Sequence, residues 1–164
     1  MGDTHLPRFG RTLPPPLVDA LRDADLILHV GDITEPFVLD LLDSFAPTQA
    51  VAGNNDGAEL VERLGYARTV TVGDLRIGLT HGHRGRGRTT TERALQTFVA
   101  EDPPPDAIAF GHSHQPMIER QGDLWLLNPG SPTDRRRQPR FSFLLLEVSG
   151  RDLRPELITY PAWR

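Results

Sequence analysis

Leu26-Ile27-Leu28-His29-Val30-Gly31-Asp32 is the stretch whose reading decides the fold. A short, mostly apolar run of this length reads as a buried strand; Gly31 ends it and Asp32 enters a loop. The same grammar returns along the chain. Ala50-Val51-Ala52 leads into Gly53-Asn54-Asn55-Asp56, and Leu79-Thr80 into His81-Gly82-His83. Ala107-Ile108-Ala109-Phe110 leads into Gly111-His112-Ser113-His114. A fifth polar group, Asp3-Thr4-His5, has only Met1 and Gly2 before it. Sites in α/β sheets gather beyond the carboxyl ends of strands, so these loops are expected to converge on one edge. The adjacent glycines let the backbone turn sharply and approach a bound group closely.

Outward from these strands, helices are predicted over 17–22, after Pro14-Pro15-Pro16, and over 36–45 and 57–64. A further helix is predicted over 89–100, with Thr91 or a neighbour as its cap. Residues 68–71 and 76–80 flank Gly73-Asp74 and suggest a hairpin. Strands are expected at 124–127, 141–148 and 153–160. No repeat, heptad or linker-like tract interrupts the pattern. Residues 1–164 therefore read as a single domain, α/β first and mostly β later.

Composition narrows the chemistry. All 18 basic residues are arginine, cysteine is absent, and 22 acidic residues leave a net charge of −4. Disulfides, thiolate metal sites, cysteine nucleophiles, a P-loop lysine and a Schiff base are excluded. The acidity disfavours nucleic acid as a partner. No apolar run approaches the roughly 20 residues of a membrane helix. The first residues lack the pattern of a signal peptide, so a cytoplasmic protein is expected. The loops offer two Asp, one Asn and up to five His. Nitrogen and hard oxygen donors suit Mn²⁺, Fe²⁺, Ni²⁺, Co²⁺ or Zn²⁺, and the number suits two ions sharing a carboxylate. Each element alone is weak: a lone His is more often structural, and Asn54-Asn55-Asp56-Gly57 is a good turn. Concurrence outweighs this, because five of the six histidines fall in these loops. His29, inside a strand run, reads as a core histidine.

Asp3-x-His5, Gly31-Asp32, Gly53-Asn54-x-Asp56, His81-Gly82-His83 and Gly111-His112-Ser113-His114 resemble the calcineurin-like metallophosphoesterases in order and style. Asn128-Pro129-Gly130-Ser131 resembles the small YfcE-type phosphodiesterase subgroup, and reads as a loop near the site. The resemblance implies a four-layer α/β/β/α sandwich. It implies one divalent ion on Asp3, His5, Asp32 and His114, and a second on Asp32, Asn54, His81 and His112. Manganese is first among the metals it implies, with Ni, Fe, Co and Zn as alternatives. The implied reaction is attack by a metal-bridging hydroxide on a small phosphodiester, possibly nucleotide-derived, without a phosphoenzyme. Asp56 is expected to hold the Asn54 loop. His83, with Gly82 before it, is expected to face away from His81 and to meet substrate.

Two departures qualify the resemblance. Asn55 stands where many members of the wider family carry a histidine that protonates the leaving group. Activated or cyclic diesters are therefore expected to be favoured over alkyl monoesters. The buried strand that normally precedes Asp3 is expected to be absent or truncated, leaving Asp3 unsupported. Arg84, Arg86, Arg88 and Arg93, with Arg135, Arg136, Arg137 and Arg140, read either as a phosphate-pairing rim or as a solvated face. The alternatives to a phosphodiesterase are a non-catalytic scaffold like the retromer subunit of this fold, a phosphomonoesterase, or a dinucleoside polyphosphate hydrolase. The full ligand set favours the enzyme. A small phosphate ester is the expected partner, a membrane is not, and homo-oligomerisation is left open.

Overall fold

The computed structural model describes residues 1–162. Its elements run α1 (Pro15–Arg22), β1 (Ile27–His29), α2 (Phe37–Asp43), β2 (Thr48–Ala50), α3 (Ala58–Leu64), β3 (Ala67–Val72) and β4 (Leu75–Thr80). There follow α4 (Thr90–Phe98), β5 (Ala107–Phe110), β6 (Met117–Gln121), β7 (Leu124–Asn128), β8 (Phe141–Ser149) and β9 (Asp152–Tyr160). Three apolar cores define three interfaces and hence four layers. Leu17 and Leu21 of α1 and Val38, Leu39 and Leu42 of α2 pack on Ile27, Ala50, Phe143 and Tyr160. Val30, Val51 and Leu153 then meet Ile77, Leu79, Ala107 and Leu127 across the middle. Ala94 and Phe98 of α4 cover Ile108, Phe110 and Leu126 on the far side. The expected α/β/β/α order is the order found.

The strands explain the placement of the loops. β1 and β2 are parallel, and the five-stranded sheet runs β3-β4-β5-β7-β6, with β4, β5 and β7 mutually parallel. The loops after β1, β2, β4, β5 and β7 therefore leave from carboxyl ends on one side of the molecule. All four residues of β5 are buried, because α4 covers one face and the second sheet the other. That is why this strand is an unbroken apolar run instead of an alternating one.

The expected boundaries shift in places. The second strand is β2 at Thr48–Ala50, two residues before Ala50-Val51-Ala52. Thr89, not Thr91, caps α4: its hydroxyl accepts from Glu92 N–H while the Glu92 side chain accepts from Thr89 N–H. β6 was not expected; only Ile118 and Met117 in Met117–Gln121 are apolar, and the strand is a largely exposed sheet edge. At the start the first strand is reduced as expected, and the correction concerns the support of Asp3. No strand is assigned to the first residues, yet Met1 N donates to Leu28 O at 2.8 Å, and Val30 N to Met1 O at 3.0 Å. Asp3 N donates to Gly31 O at 2.9 Å. Met1–Gly2–Asp3 thus lies along the edge of β1 opposite β2, and Asp3 is supported, not adrift.

Gly78 lets α4 close on the sheet, since a Cβ there would lie 2.9–3.0 Å from the Phe98 ring. The ring fills the space a side chain would take. Phe98→Ala is expected to lower unfolding free energy by about 3–5 kcal/mol, read from denaturant titration; a loss under about 1 kcal/mol contradicts this packing account.

Candidate metal centre

Seven non-glycine residues have positive φ: Asp3, His5, Asp32, Thr34, His112, His114 and Arg136. Five of these are residues singled out in the sequence for ligand chemistry. Left-handed backbone costs a side-chain-bearing residue on the order of 1–3 kcal/mol, so its concentration here marks a site held against local preference. Each turn aims a side chain back across the strand ends.

Asp3, His5, Asp32, His81 and His114 are buried together. The Asp32 carboxylate lies between two halves of the cluster: Oδ2 is 3.6 Å from His5 Nε2 and 3.4 Å from His81 Nε2. Asp3 Oδ1 lies 3.2 Å from His114 Nε2 and 4.0 Å from His5 Nε2. Asp3, His5 and His114 form one group able to hold a cation, and Asp3, Asp32 and His81 a second. Asp3 is thus common to both groups, whereas the family pattern shares Asp32. Asn54 joins the second group, its Oδ1 3.1 Å from His81 Nε2. His112 is half-buried, its ring centroid 5.1 Å from that of His81.

Backbone carbonyls fix the tautomers. A carbonyl only accepts, so His81 Nδ1 donates to Val30 O at 2.8 Å and His114 Nδ1 donates to Asp134 O at 2.5 Å. In the neutral rings the Nε2 lone pairs then face oxygens: Asn54 and Asp32 for His81, Asp3 for His114. His5 Nε2 and His114 Nε2 face each other at 3.4 Å. Asp3 Oδ1 is buried without a hydrogen-bond partner among the described residues. Converging lone pairs of this kind are stabilised by a proton or a cation. The electrostatics of the site agree. Burial opposes protonation of His81 and His114, but hydrogen bonds and charge from Asp32 and Asp3 outweigh it and raise both pKa values. Burial pushes the Asp32 carboxyl up, but His81 and Asn55 overcome this and hold it well below the usual range. Burial keeps His5 and His112 below the ordinary histidine value.

The remaining expected residues divide. Asp56 accepts from Gly53 N–H at 2.6 Å, Asp32 N–H at 3.1 Å and Thr34 N–H at 2.6 Å, tying the two turns together. Asn55 donates from its backbone N to Asp32 Oδ1 at 2.8 Å and from Nδ2 to Asp32 Oδ2 at 2.6 Å. His83 does not turn away from His81: with φ +84 at Gly82, the rings lie 5.2 Å apart. Burial, then the His81, His112 and Arg84 charges, lower its pKa to about 4. Asn128 reaches the site loops, donating to Gly111 O at 3.1 Å and Ser113 Oγ at 3.1 Å. Among the arginines, Arg93, Arg135 and Arg140 bond to carbonyls of Gly87, Gln138 and Thr159.

Sequence reasoning missed the braces. Ser131 Oγ donates to Asp3 O at 2.7 Å, and Thr133 Oγ1 donates to Thr4 O. His29 is wholly buried; its Nδ1 accepts from Gly31 N–H at 3.2 Å, which leaves Nε2–H for Thr4 Oγ1 at 3.2 Å. Thr4 Oγ1 in turn donates to Asp32 O at 3.4 Å. His29 is the core histidine expected, and it also pins the Asp3–His5 turn to the Gly31–Asp32 turn. A Thr between two ligand-type residues was the one signal available.

Burial holds the His29 pKa well below the ordinary value. The unfolded chain therefore takes up this proton first, so its stability contribution is full above about pH 6.5 and is lost as pH falls. His29→Phe should cost about 1–3 kcal/mol through the unpartnered Gly31 N–H and Thr4 hydroxyl. It should also remove up to about 1.4 kcal/mol per pH unit from the acid limb of the stability curve. Denaturant titrations at pH 5, 6 and 7 read both; an unchanged acid limb contradicts the assignment.

The calcineurin-like phosphoesterase superfamily domain matches residues 1–151. A probable metallophosphoesterase of Methanothermobacter thermautotrophicus is 38% identical over 160 residues, covering 96% of this chain and 89% of its own. A Methanocaldococcus jannaschii protein named as a phosphodiesterase is 27% identical, covering 79% and 80% of the two chains. The zinc complex of Entamoeba histolytica Vps29 superposes with a TM-score of 0.76 at 24% identity, over 96% of each chain, and shares the fold. With the motif order, the four layers and the residue match in agreement, the chain belongs to the calcineurin-like phosphoesterase superfamily.

Proposed function

We propose that the buried cluster holds two divalent cations and that the protein hydrolyses small phosphodiesters. The chain is a metal-dependent phosphoesterase. The observation that carries the dinuclear reading is the set of opposed lone pairs, with orphaned Asp3 Oδ1 among them. One ion falls to Asp3, His5, Asp32 and His114, and the other to Asp32, Asn54, His81 and His112. Asp32 Oδ2, within 3.6 Å of His5 Nε2 and 3.4 Å of His81 Nε2, suits a shared carboxylate. Manganese heads the candidates, with Ni, Fe, Co and Zn fitting the same nitrogen and oxygen donors.

Divalent ions bound there supply the positive charge that polarises a phosphoryl group and lowers the pKa of water. The chain supplies orientation. Val30 O and Asp134 O hold the imidazoles, and Asp56 fixes the turns that carry Asp32 and Asn54. His83 is uncharged at neutral pH and offers a substrate a hydrogen bond instead of a charge. Asn55 spends its amide on Asp32, so no proton comes from this position to a departing alcohol. Good leaving groups follow, and the diester reading is supported by the relative named as a phosphodiesterase.

With Mn²⁺, an aryl diester is expected to turn over faster than an alkyl monoester; the reverse order overturns the diester preference. Asp32→Ala and His112→Ala should each lose about 100-fold or more in kcat/KM. Full activity in both variants overturns the site. Metal affinity should also fall with pH. His81 and His114 hold protons above the ordinary histidine value, and a cation must displace them. Without metal those charges stabilise the fold below the unfolded-state value, a contribution lost as pH rises through the raised one. Affinity should drop up to about tenfold per pH unit for each proton displaced. Titration calorimetry at pH 6.5 in two buffers of different ionisation enthalpy reads the protons released; none released contradicts the lone-pair account.

A further inference from the structure

Beside the cluster lies a cavity of about 300 Å³ lined by Phe9, Thr133, Asp134, Arg135, Arg136 and Phe141. Two of its walls touch proposed ligands directly. The Phe9 ring meets the His5 ring edge-on, with centroids 5.8 Å apart, and Asp134 O receives the His114 Nδ1 proton. The cavity therefore opens against the His5–His114 half of the site, not the Asn54–His81 half.

The lining has a definite chemistry. Phe9 and Phe141 present aromatic surface, and each carries a guanidinium: Arg8 sits 5.2 Å from the Phe9 centroid and Arg135 5.9 Å from that of Phe141. Phe141 is backed by Tyr160, its ring stacked at 5.8 Å, and Tyr160 is anchored through its hydroxyl to Pro132 O at 2.6 Å. Among the described residues, Arg136 and Thr34 are the two non-glycine residues with positive φ outside the proposed ligands. Its backbone N donates to Asp134 Oδ1 at 3.3 Å, and its Nε lies 3.6 Å from Asp134 Oδ2. Its positive charge bears on both His112 and His114. Arg136 thus lines the cavity against Asp134, whose carbonyl holds His114, in a backbone conformation that local preference disfavours.

We propose that this cavity is the subsite for a planar aromatic group esterified to the phosphate, packed between Phe9 and Phe141, with Arg136 pairing with a phosphoryl oxygen. The inference rests on the phosphodiesterase reading and adds the class of alcohol. Aromatic faces and weakly hydrated guanidinium planes both favour a flat π-system. An alkyl group has the apolar area but not the complementary quadrupole. A volume near the low end of small-molecule pockets admits one ring system.

The probes are phenylphosphonate and methylphosphonate, as competitive inhibitors of diester turnover and, independently, as ligands of the zinc-loaded protein in titration calorimetry. Phenylphosphonate is expected to bind about tenfold tighter. Phe9→Ala and Phe9→Leu should bring that ratio near one with little change for methylphosphonate. Phe9→Leu keeps a large apolar side chain without the ring, so a folding defect does not imitate the loss. Arg136→Ala should weaken both phosphonates alike. A ratio near one in the parent, or a ratio unchanged in both Phe9 variants, overturns the subsite. Adenosine 5′-monophosphate binding tighter than ribose 5-phosphate assigns the ring to a nucleoside; equal binding assigns it to a simple aryl ester. Absence of diester turnover with any metal, with the calorimetric ratio and its loss intact, supports the subsite and removes the phosphodiesterase reading instead.

Discussion

Two backbone carbonyls set the chemistry of this molecule. Val30 O and Asp134 O each take the Nδ1 proton of a buried histidine, and so decide that His81 and His114 point lone pairs at carboxylate and amide oxygens. Acceptors facing acceptors in a buried site are unfavourable unless positive charge lies between them. The left-handed turns at Asp3, His5, Asp32, His112 and His114 aim the side chains into that arrangement, and the orphaned oxygen of Asp3 and the raised proton affinity of the two histidines belong to it. The layers around it hold the strand ends still enough for the arrangement to persist.

Much of this was legible in the chain. A strand such as Ala107–Phe110 is apolar at every position because it is covered on both faces, and its glycine-histidine terminus announces a loop with ligand chemistry. Periodicity finds helices such as α4, whose buried Ala94 and Phe98 are four residues apart. The convergence of Asp3, His5, Asp32, Asn54, His81, His112 and His114 followed from parallel strands ending on one side. What a sequence does not display is backbone pairing that comes without an apolar run. Met1–Gly2–Asp3 pairs along β1 through three hydrogen bonds without any apolar run to signal it.

The braces were equally silent. Asn55 looked like a lost acid, and it is a donor fixed on both oxygens of Asp32. His83 looked turned away, and the positive φ of Gly82 brings its ring beside His81. Thr4 and His29 form a relay between two turns that are far apart in the chain, a relation visible only in three dimensions. Hydrogen bonds between distant residues leave no periodic mark, so pattern reading finds the ligand-type residues and, apart from Asp56, little of what orients them.

The contact from the Ser131 hydroxyl to Asp3 O spans 128 residues, and the one from His112 N to Asp3 Oδ2 spans 109. Closing such loops is entropically slow, and it comes after local helices and hairpins have formed. The His5–His114 half of the cluster is therefore complete only once His112, His114, Ser131 and Asp134 have docked against the first turn. A cation held by Asp3, His5 and His114 would then be bound late, coupled to the docking that brings these three residues together.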